Sequence, residues 1–362
     1  MSPIDNDGGG TDRSSERGIR RMAYGVLIPE LPGLTLTDPV HRFIECGGRA
    51  VLLGESRDEY LARRMSDQRR MSETAHDVAA LTHRLGEVAG RDVVVAMDQE
   101  IAGINRLHDI VGTRPSRDAF LAMSTDEITR TAASVGAEMV ALGVTMNFAP
   151  VLDVMTGPNG WLDGRAFGPD VDEVVRVGTA FVRGMVKAGV IVTAKHFPGH
   201  RGATHDPAVT VGVVEPNADG LERDLLPFRS VIDAGVPAIM LGPTIITAVD
   251  PDRPSSRSAK CVSLLRGDLG FTGLVVTDDL NSRSNARGDS VAVAAVDALR
   301  AGADLLLVTG QVGSDGDLDV VAEAIVAAVR SGDVPVERLT AAADRLDAAT
   351  ATRDRTVRSD QG

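Results

Sequence analysis

Cysteine is nearly absent. Cys46 and Cys261 are the only two, and neither belongs to a CxxC pair or a cysteine–histidine cluster. That excludes a disulfide framework or a structural zinc site as the organising device and fits a reducing compartment. Long apolar runs are missing as well: no stretch approaches the roughly 18 residues of a membrane span. The opening residues, MSPIDNDGGGTDRSSERGIR, are polar and Gly/Ser-rich, without the apolar core of a secretory signal. A cytoplasmic location without a membrane partner is the expectation. Positive charge is also scarce, with 38 Lys+Arg against 51 Asp+Glu and a net charge of −13. This argues against nucleic acid or an anionic membrane as a partner. The arginines Arg17, Arg20 and Arg21 read as a solvated cluster.

Several catalytic signatures are missing too. There is no HExxH, no serine nucleophile elbow, no dense carboxylate cage for a metal, and no GxGxxG or P-loop after the first apolar run. A mechanism without metal or cofactor is the simplest expectation.

What is present is an ordinary globular composition, 43% hydrophobic and 25% charged over 362 residues, ample for a large core. Residues 1–17 and 351–362 lack apolar periodicity and are expected to be disordered tails around a domain spanning 18–350. Within it, short β-branched runs alternate with segments of helical spacing. The runs are Tyr24 to Ile28, Ala50 to Leu53, Val93 to Met97, Val144 to Phe148, Val190 to Ala194, Ala238 to Leu241, Leu274 to Thr277 and Leu305 to Val308. Several follow a helix-ending glycine turn, such as Gly143, Gly189, Gly235, Gly270 and Gly302. The alternation predicts an α/β fold with a parallel sheet, and the number of runs favours a single (β/α)8 TIM-type barrel over an open doubly wound sheet.

Barrel active sites lie at the C-terminal ends of strands. Four such ends carry polar groups: Asp98-Gln99-Glu100, Asn147 with Asp153, Lys195-His196, and Asp278-Asp279. Just past the fifth run, AKHFPGHRGATHDPA holds three of the chain's seven histidines. Carboxylates and cations converging on one pocket suit a polyhydroxylated ligand, because they hydrogen-bond vicinal hydroxyls and can stabilise or attack an oxocarbenium-like centre.

The strings Val95 to Glu100 (VAMDQE), Asn147 to Val154 (NFAPVLDV), Lys195 to His200 (KHFPGH) and Leu269 to Leu280 (LGFTGLVVTDDL) resemble glycoside hydrolase family 3. The likeness covers about residues 22–347 and is greatest to single-barrel bacterial β-N-acetylglucosaminidases of peptidoglycan recycling. It implies a retaining β-glycosidase acting on a small-molecule sugar or glycoside such as an N-acetylglucosaminide, without a cofactor. Asp278 would be the nucleophile. Asp98, Arg106, Arg165, Lys195 and His196 would contact sugar hydroxyls, and His200 would support the pocket. The family takes its acid/base from a mobile loop reading Asp-Ser-His, where this chain reads Asp206-Pro207-Ala208. The proton donor is thus missing, with His205, beside Asp206, as the one candidate replacement. Three more positions depart from the family: Ile101-Ala102-Gly103 for Gly-Gly-Arg, Gly242-Pro243 for Ala-His, and Ser282 for methionine. Three readings stay open: a glycosidase with a non-standard acid/base, a glycosidase fold diverted to another reaction on a sugar-like metabolite, and an inactive sugar-binding protein. The sequence does not reveal the oligomeric state.

Overall fold

The computed structural model describes residues 13–112, 115–202, 205–309 and 318–359. Among the described residues ten strands occur, in chain order β1 (Leu27–Leu31), β2 (Ala50–Leu53), β3 (Val94–Met97), β4 (Met146–Asn147), β5 (Ile191–Phe197), β6 (Val213–Val214), β7 (Ala238–Leu241), β8 (Ile245–Ile246), β9 (Leu274–Thr277) and β10 (Leu306–Val308). Eight of them form one parallel sheet in the order β10-β1-β2-β3-β4-β5-β7-β9. A parallel bridge between Val276 and Leu305 joins its two outer strands, β9 and β10, so the sheet curls into the expected (β/α)8 barrel. The short β6 and β8 pair with each other beyond the strand ends.

Period-two alternation sorts the strand residues between two cores. Ile28, Ala50, Leu52, Val94, Ala96, Ile191, Met240, Leu274, Val276 and Leu307 form the inner cluster. Their neighbours Leu27, Val51, Leu53, Val95, Val192, Leu241 and Val275 join the larger layer that packs against the helices. Leu346 and Ala349 of the last helix belong to the inner cluster. That helix is also tied by Asp347 to Arg49, just before β2, and by Arg338 and Arg345 to Asp304, just before β10. It therefore sits at the N-terminal end of the barrel and leaves the opposite mouth open.

The runs at Ala50, Ala238 and Leu274 coincide with strands, while the first one shifts. Tyr24 and Gly25 end the helix Glu16–Gly25, whose start is capped by Ser15, and β1 continues to Leu31. Apolar periodicity alone does not separate a helix's buried last turn from the strand after it. At the C-terminus, where a disordered tail from 351 was expected, the helix Val336–Ser359 continues without a break. Residues 1–12 of the expected N-terminal tail lie outside the described residues. No helix is long and apolar enough to cross a membrane among the described residues. Cys46 is exposed, Cys261 is buried, and neither is in a disulfide.

The outer layer is tightly packed where the helices Thr125–Ala141 and Val171–Lys187 meet. A Cβ on Gly184 would lie 2.3 Å from the Thr129 carbonyl oxygen and 2.7 Å from Ala132 Cβ. Gly86, inside the helix Ala75–Ala89, has nothing nearer than the Arg91 carbonyl at 3.7 Å. Gly184→Ala is expected to destabilise the fold by about 1–3 kcal/mol through overpacking. Gly86→Ala should be neutral or stabilise by about 0.5–1 kcal/mol. Urea unfolding of the two variants checks both signs.

Candidate active site

The alternation that fills the barrel also builds its mouth. Two residues beyond the last inner-core side chain, the next inward position is Glu30 on β1, Gly54 after β2, Asp98 after β3, Asp278 after β9 and Thr309 after β10; on β5 the inward series runs from Ile191 through the buried Thr193 to Lys195. These five and Lys195 line one cavity of about 310 Å³. His196 would ordinarily point away from it, but the register of β5 against β7 shifts between Ala194 and Phe197. This irregularity, of the kind a β-bulge produces, accompanies a cavity lined by both Lys195 and His196.

Glu100 anchors the floor. It is buried, accepts hydrogen bonds from Arg165 Nε at 3.1 Å and from the Ile104 amide at 3.0 Å, and pairs with Lys195 Nζ at 2.9 Å. Burial alone would raise its pKa, yet the Arg165 guanidinium and the Lys195 ammonium hold it well below the carboxylate range. Lys195 is also paired with Asp98. Burial works against its charge, but Asp98 and Glu100 outweigh that and raise its pKa.

A second buried carboxylate, Asp153, aligns the histidines. Its Oδ2 lies 2.8 Å from His196 Nδ1 and its Oδ1 lies 3.1 Å from His200 Nδ1. Burial pushes the His196 imidazole down to about 3 against the pull of Asp153. His196 is therefore neutral at ordinary pH, donating its Nδ1 hydrogen to Asp153 and keeping a lone pair on Nε2, which lies 3.8 Å from Asp278 Oδ2. The indole of Trp161 covers this ring at a centroid distance of 4.5 Å. His200 is fully enclosed, and Gly242 makes room for it: a Cβ there would fall 1.9 Å from the imidazole.

Asp278 accepts the Asp279 amide at 2.6 Å, and its own amide donates to Leu241 O at 3.0 Å and Ser256 Oγ at 3.1 Å. Burial, then the neighbouring Asp279 carboxylate, push its pKa up to about 7.

Two sides of the mouth are closed by loops. Ser56 caps the helix Arg57–Ala62 in a reciprocal arrangement with Glu59, which places Arg57 and Tyr60 one turn apart at the rim. Tyr60 Oη accepts hydrogen bonds from Trp161 Nε1 at 2.6 Å and Arg165 Nη1 at 2.8 Å. From the β5 side, Asp206, Pro207 and Ala208 line the cavity, and Asp206 pairs with Arg57. The Pro207 and Ala208 carbonyls accept from the amides of Ser284 and Arg283 at 3.0 and 3.1 Å.

Of the residues expected from sequence, Asp278, Asp206, Asp98, Arg165, Lys195 and His196 line the cavity. Arg106 does not. It is buried behind the pocket, donating to the Gly54 carbonyl at 2.7 Å and to Glu73 Oε2 at 2.7 Å, so its guanidinium is consumed within the protein. His205 is exposed and is not part of the cavity wall. Ile101 packs on the outer core instead of the mouth, whereas Ser282 lines the cavity. Sequence reasoning overlooked Glu30, Glu55, Arg57, Tyr60 and Trp161. The first two were within reach, because extending the strand-end rule to the first two runs leads to them.

The family model for the glycosyl hydrolase family 3 N-terminal domain matches residues 61–349. The chain belongs to glycosyl hydrolase family 3. Among curated relatives, a β-hexosaminidase of Methylococcus capsulatus is 32% identical over 222 residues, covering 60% of this chain and 66% of that one. A family 3 β-N-acetylglucosaminidase of Paenibacillus sp. superposes with a TM-score of 0.83 at 31% identity, over 92% of this chain and 62% of that one. A β-N-acetylhexosaminidase of Beutenbergia cavernae gives a TM-score of 0.79 at 26% identity, over 92% and 98%. This family 3 chain thus spans just under two thirds of the first two.

Two outcomes follow from the electrostatics. Glu100→Gln leaves Lys195 and Arg165 with an uncompensated buried charge and should cost about 3–5 kcal/mol in urea unfolding. For Asp278, the folded pKa of about 7 exceeds the ordinary 3.8. The folded state therefore binds the extra proton, and stability is lost as pH rises through that window. Asp278→Asn removes this loss, so its melting temperature relative to wild type should climb as pH rises from about 3.8 to about 7 and level off above that.

Proposed function

We propose that this protein carries retaining β-glycosidase chemistry on N-acetylglucosamine-like β-glycosides, with Asp278 as nucleophile and without the loop histidine of its relatives. The observation that carries the reading is the placement of Asp278 at the first inward position after β9, on the cavity wall and 3.8 Å from a neutral His196 Nε2. From there its carboxylate attacks the anomeric carbon, the glycosidic bond breaks, and a covalent glycosyl-enzyme forms that water then hydrolyses. The relatives' names, β-hexosaminidase and β-N-acetylglucosaminidase, support the substrate class.

The leaving oxygen needs a proton unless the aglycone is already a stable anion. At the loop position where a histidine would stand, Ala208 presents only a methyl group, and the carboxylate that would polarise that histidine, Asp206, is engaged by Arg57. General acid/base catalysis contributes about 10²–10⁴-fold, so glycosides with good leaving groups are the expected substrates and ordinary sugar–sugar bonds react slowly. The same methyl group favours a second reading, a fold diverted to transglycosylation, phosphorolysis or a biosynthetic step on a sugar-like metabolite, or to sugar binding without turnover.

Hydrolysis of aryl N-acetyl-β-glucosaminides with a very good and a poor leaving group tests the proposal. Turnover should be confined to the good leaving group, and Asp278→Ala should abolish it. Ala208→His should raise the rate on the poor leaving group by about 10²-fold while changing the good one little. Activity that survives Asp278→Ala would remove the nucleophile assignment. Turnover appearing only with added phosphate or a sugar acceptor would favour the second reading.

A further inference from the structure

We propose that the cavity wall formed by the ends of β1 and β2 is a subsite for a protonated amine on the sugar ligand, held between the carboxylates of Glu30 and Glu55. The inference rests on the reading of the cavity as a sugar site and adds the charge of the ligand.

Glu30 takes the inward position two residues after Ile28, and its carboxyl lies across the end of β2. Only a glycine permits that placement, since a Cβ on Gly54 would fall 2.0 Å from Glu30 Oε1 and 2.6 Å from its Cδ. Glu55 follows directly. The residue is half-buried, and its Oε2 is buried without a hydrogen-bond partner. Both side chains line the cavity, and Glu30 likewise forms no ion pair among the described residues.

The neighbouring cations are already engaged. Lys195 is held by Asp98 and Glu100, Arg165 by Glu100, Arg57 by Asp206, and Arg69 by Glu59 and Glu73. Burial, then the carboxylates of Asp279 and Asp98, push Glu30 up to about 7 against the distant Arg69. Burial, then Asp98 and Glu30, raise the pKa of Glu55 against Lys195. Desolvated carboxyls on the wall of one cavity take up protons or a cation. A neutral sugar hydroxyl brings one hydrogen and no charge, whereas an ammonium brings three hydrogens and a positive charge that allows both carboxylates to ionise. Among the described residues no group of three or more His, Cys, Asp or Glu is arranged to hold a metal ion. An ammonium needs only two acceptors on this wall, which are what it offers.

The test is calorimetric binding to wild type, Glu30→Gln and Glu55→Gln of glucose analogues in which each hydroxyl in turn is replaced by an amine. Each is compared with glucose and with its own N-acetyl derivative. One amine isomer should bind about tenfold or more tightly than both counterparts near neutral pH, with release of protons to the buffer. That preference should collapse in both variants, whose thermal unfolding reports that they fold. No gain for any amine overturns the proposal, as does a gain that persists in both variants. Saturable binding of Mg²⁺ or Mn²⁺ that displaces the amine and disappears in both variants overturns it in favour of a metal. Hydrolysis of the aryl N-acetyl-β-glucosaminide without any amine preference leaves the proposed function standing and removes only the amine subsite. Amine preference without hydrolysis does the reverse.

Discussion

Glu100 holds the pocket together because three separate segments depend on its one buried carboxylate. It fixes Arg165 from the loop between β4 and the helix Val171–Lys187, Lys195 from β5, and the turn at Ile104 in its own loop. Buried charges are tolerated when every partner is satisfied, and here the partners come from distant parts of the chain. Gly103 is part of the same constraint: a Cβ there would lie 2.1 Å from Glu100 Oε2 and 2.7 Å from Arg165 Cγ. A rigid floor results, from which Asp98, Lys195 and His196 face the cavity.

The mouth then follows from geometry and charge. Strand alternation decides which residues point inward, so the chemistry at the barrel's top continues the pattern that fills its interior. Because Lys195, Arg165 and Arg57 are each paired within the protein, the remaining carboxyls face the cavity without a cation of their own. Asp278 sits among them with a raised pKa. Asp153, by contrast, is supplied with two imidazoles and keeps His196 oriented. The cavity wall and the layer just behind it thus hold carboxyls in two electrostatic conditions, set by whether a donor was provided.

Much of this was legible in the sequence, and the limits are physical. Strand positions were readable wherever β-branched runs stood alone, as at β2, β7 and β9. They blurred at β1, where the capped helix before it shares the same apolar residues. Asp98, Lys195 and Asp278 could be placed because a strand end fixes direction. Arg106 could not, since nothing in its own segment reveals that Glu73 and the Gly54 carbonyl meet its guanidinium. Likewise, the change at Ala208 is visible in the sequence, but the Arg57 that engages Asp206 opens a helix 149 residues earlier, so the pairing appears only in three dimensions.

The central claim is that Asp278 is a desolvated carboxyl, short of cationic partners and set to react inside the cavity. Its titration, followed by ¹³C NMR of aspartate-labelled protein with Asp278→Asn providing the assignment, tests this most directly. The account requires a midpoint near 7 in the ligand-free protein. A midpoint at the ordinary carboxylate value near 3.8 would mean that Asp278 is solvated or paired, and would contradict it.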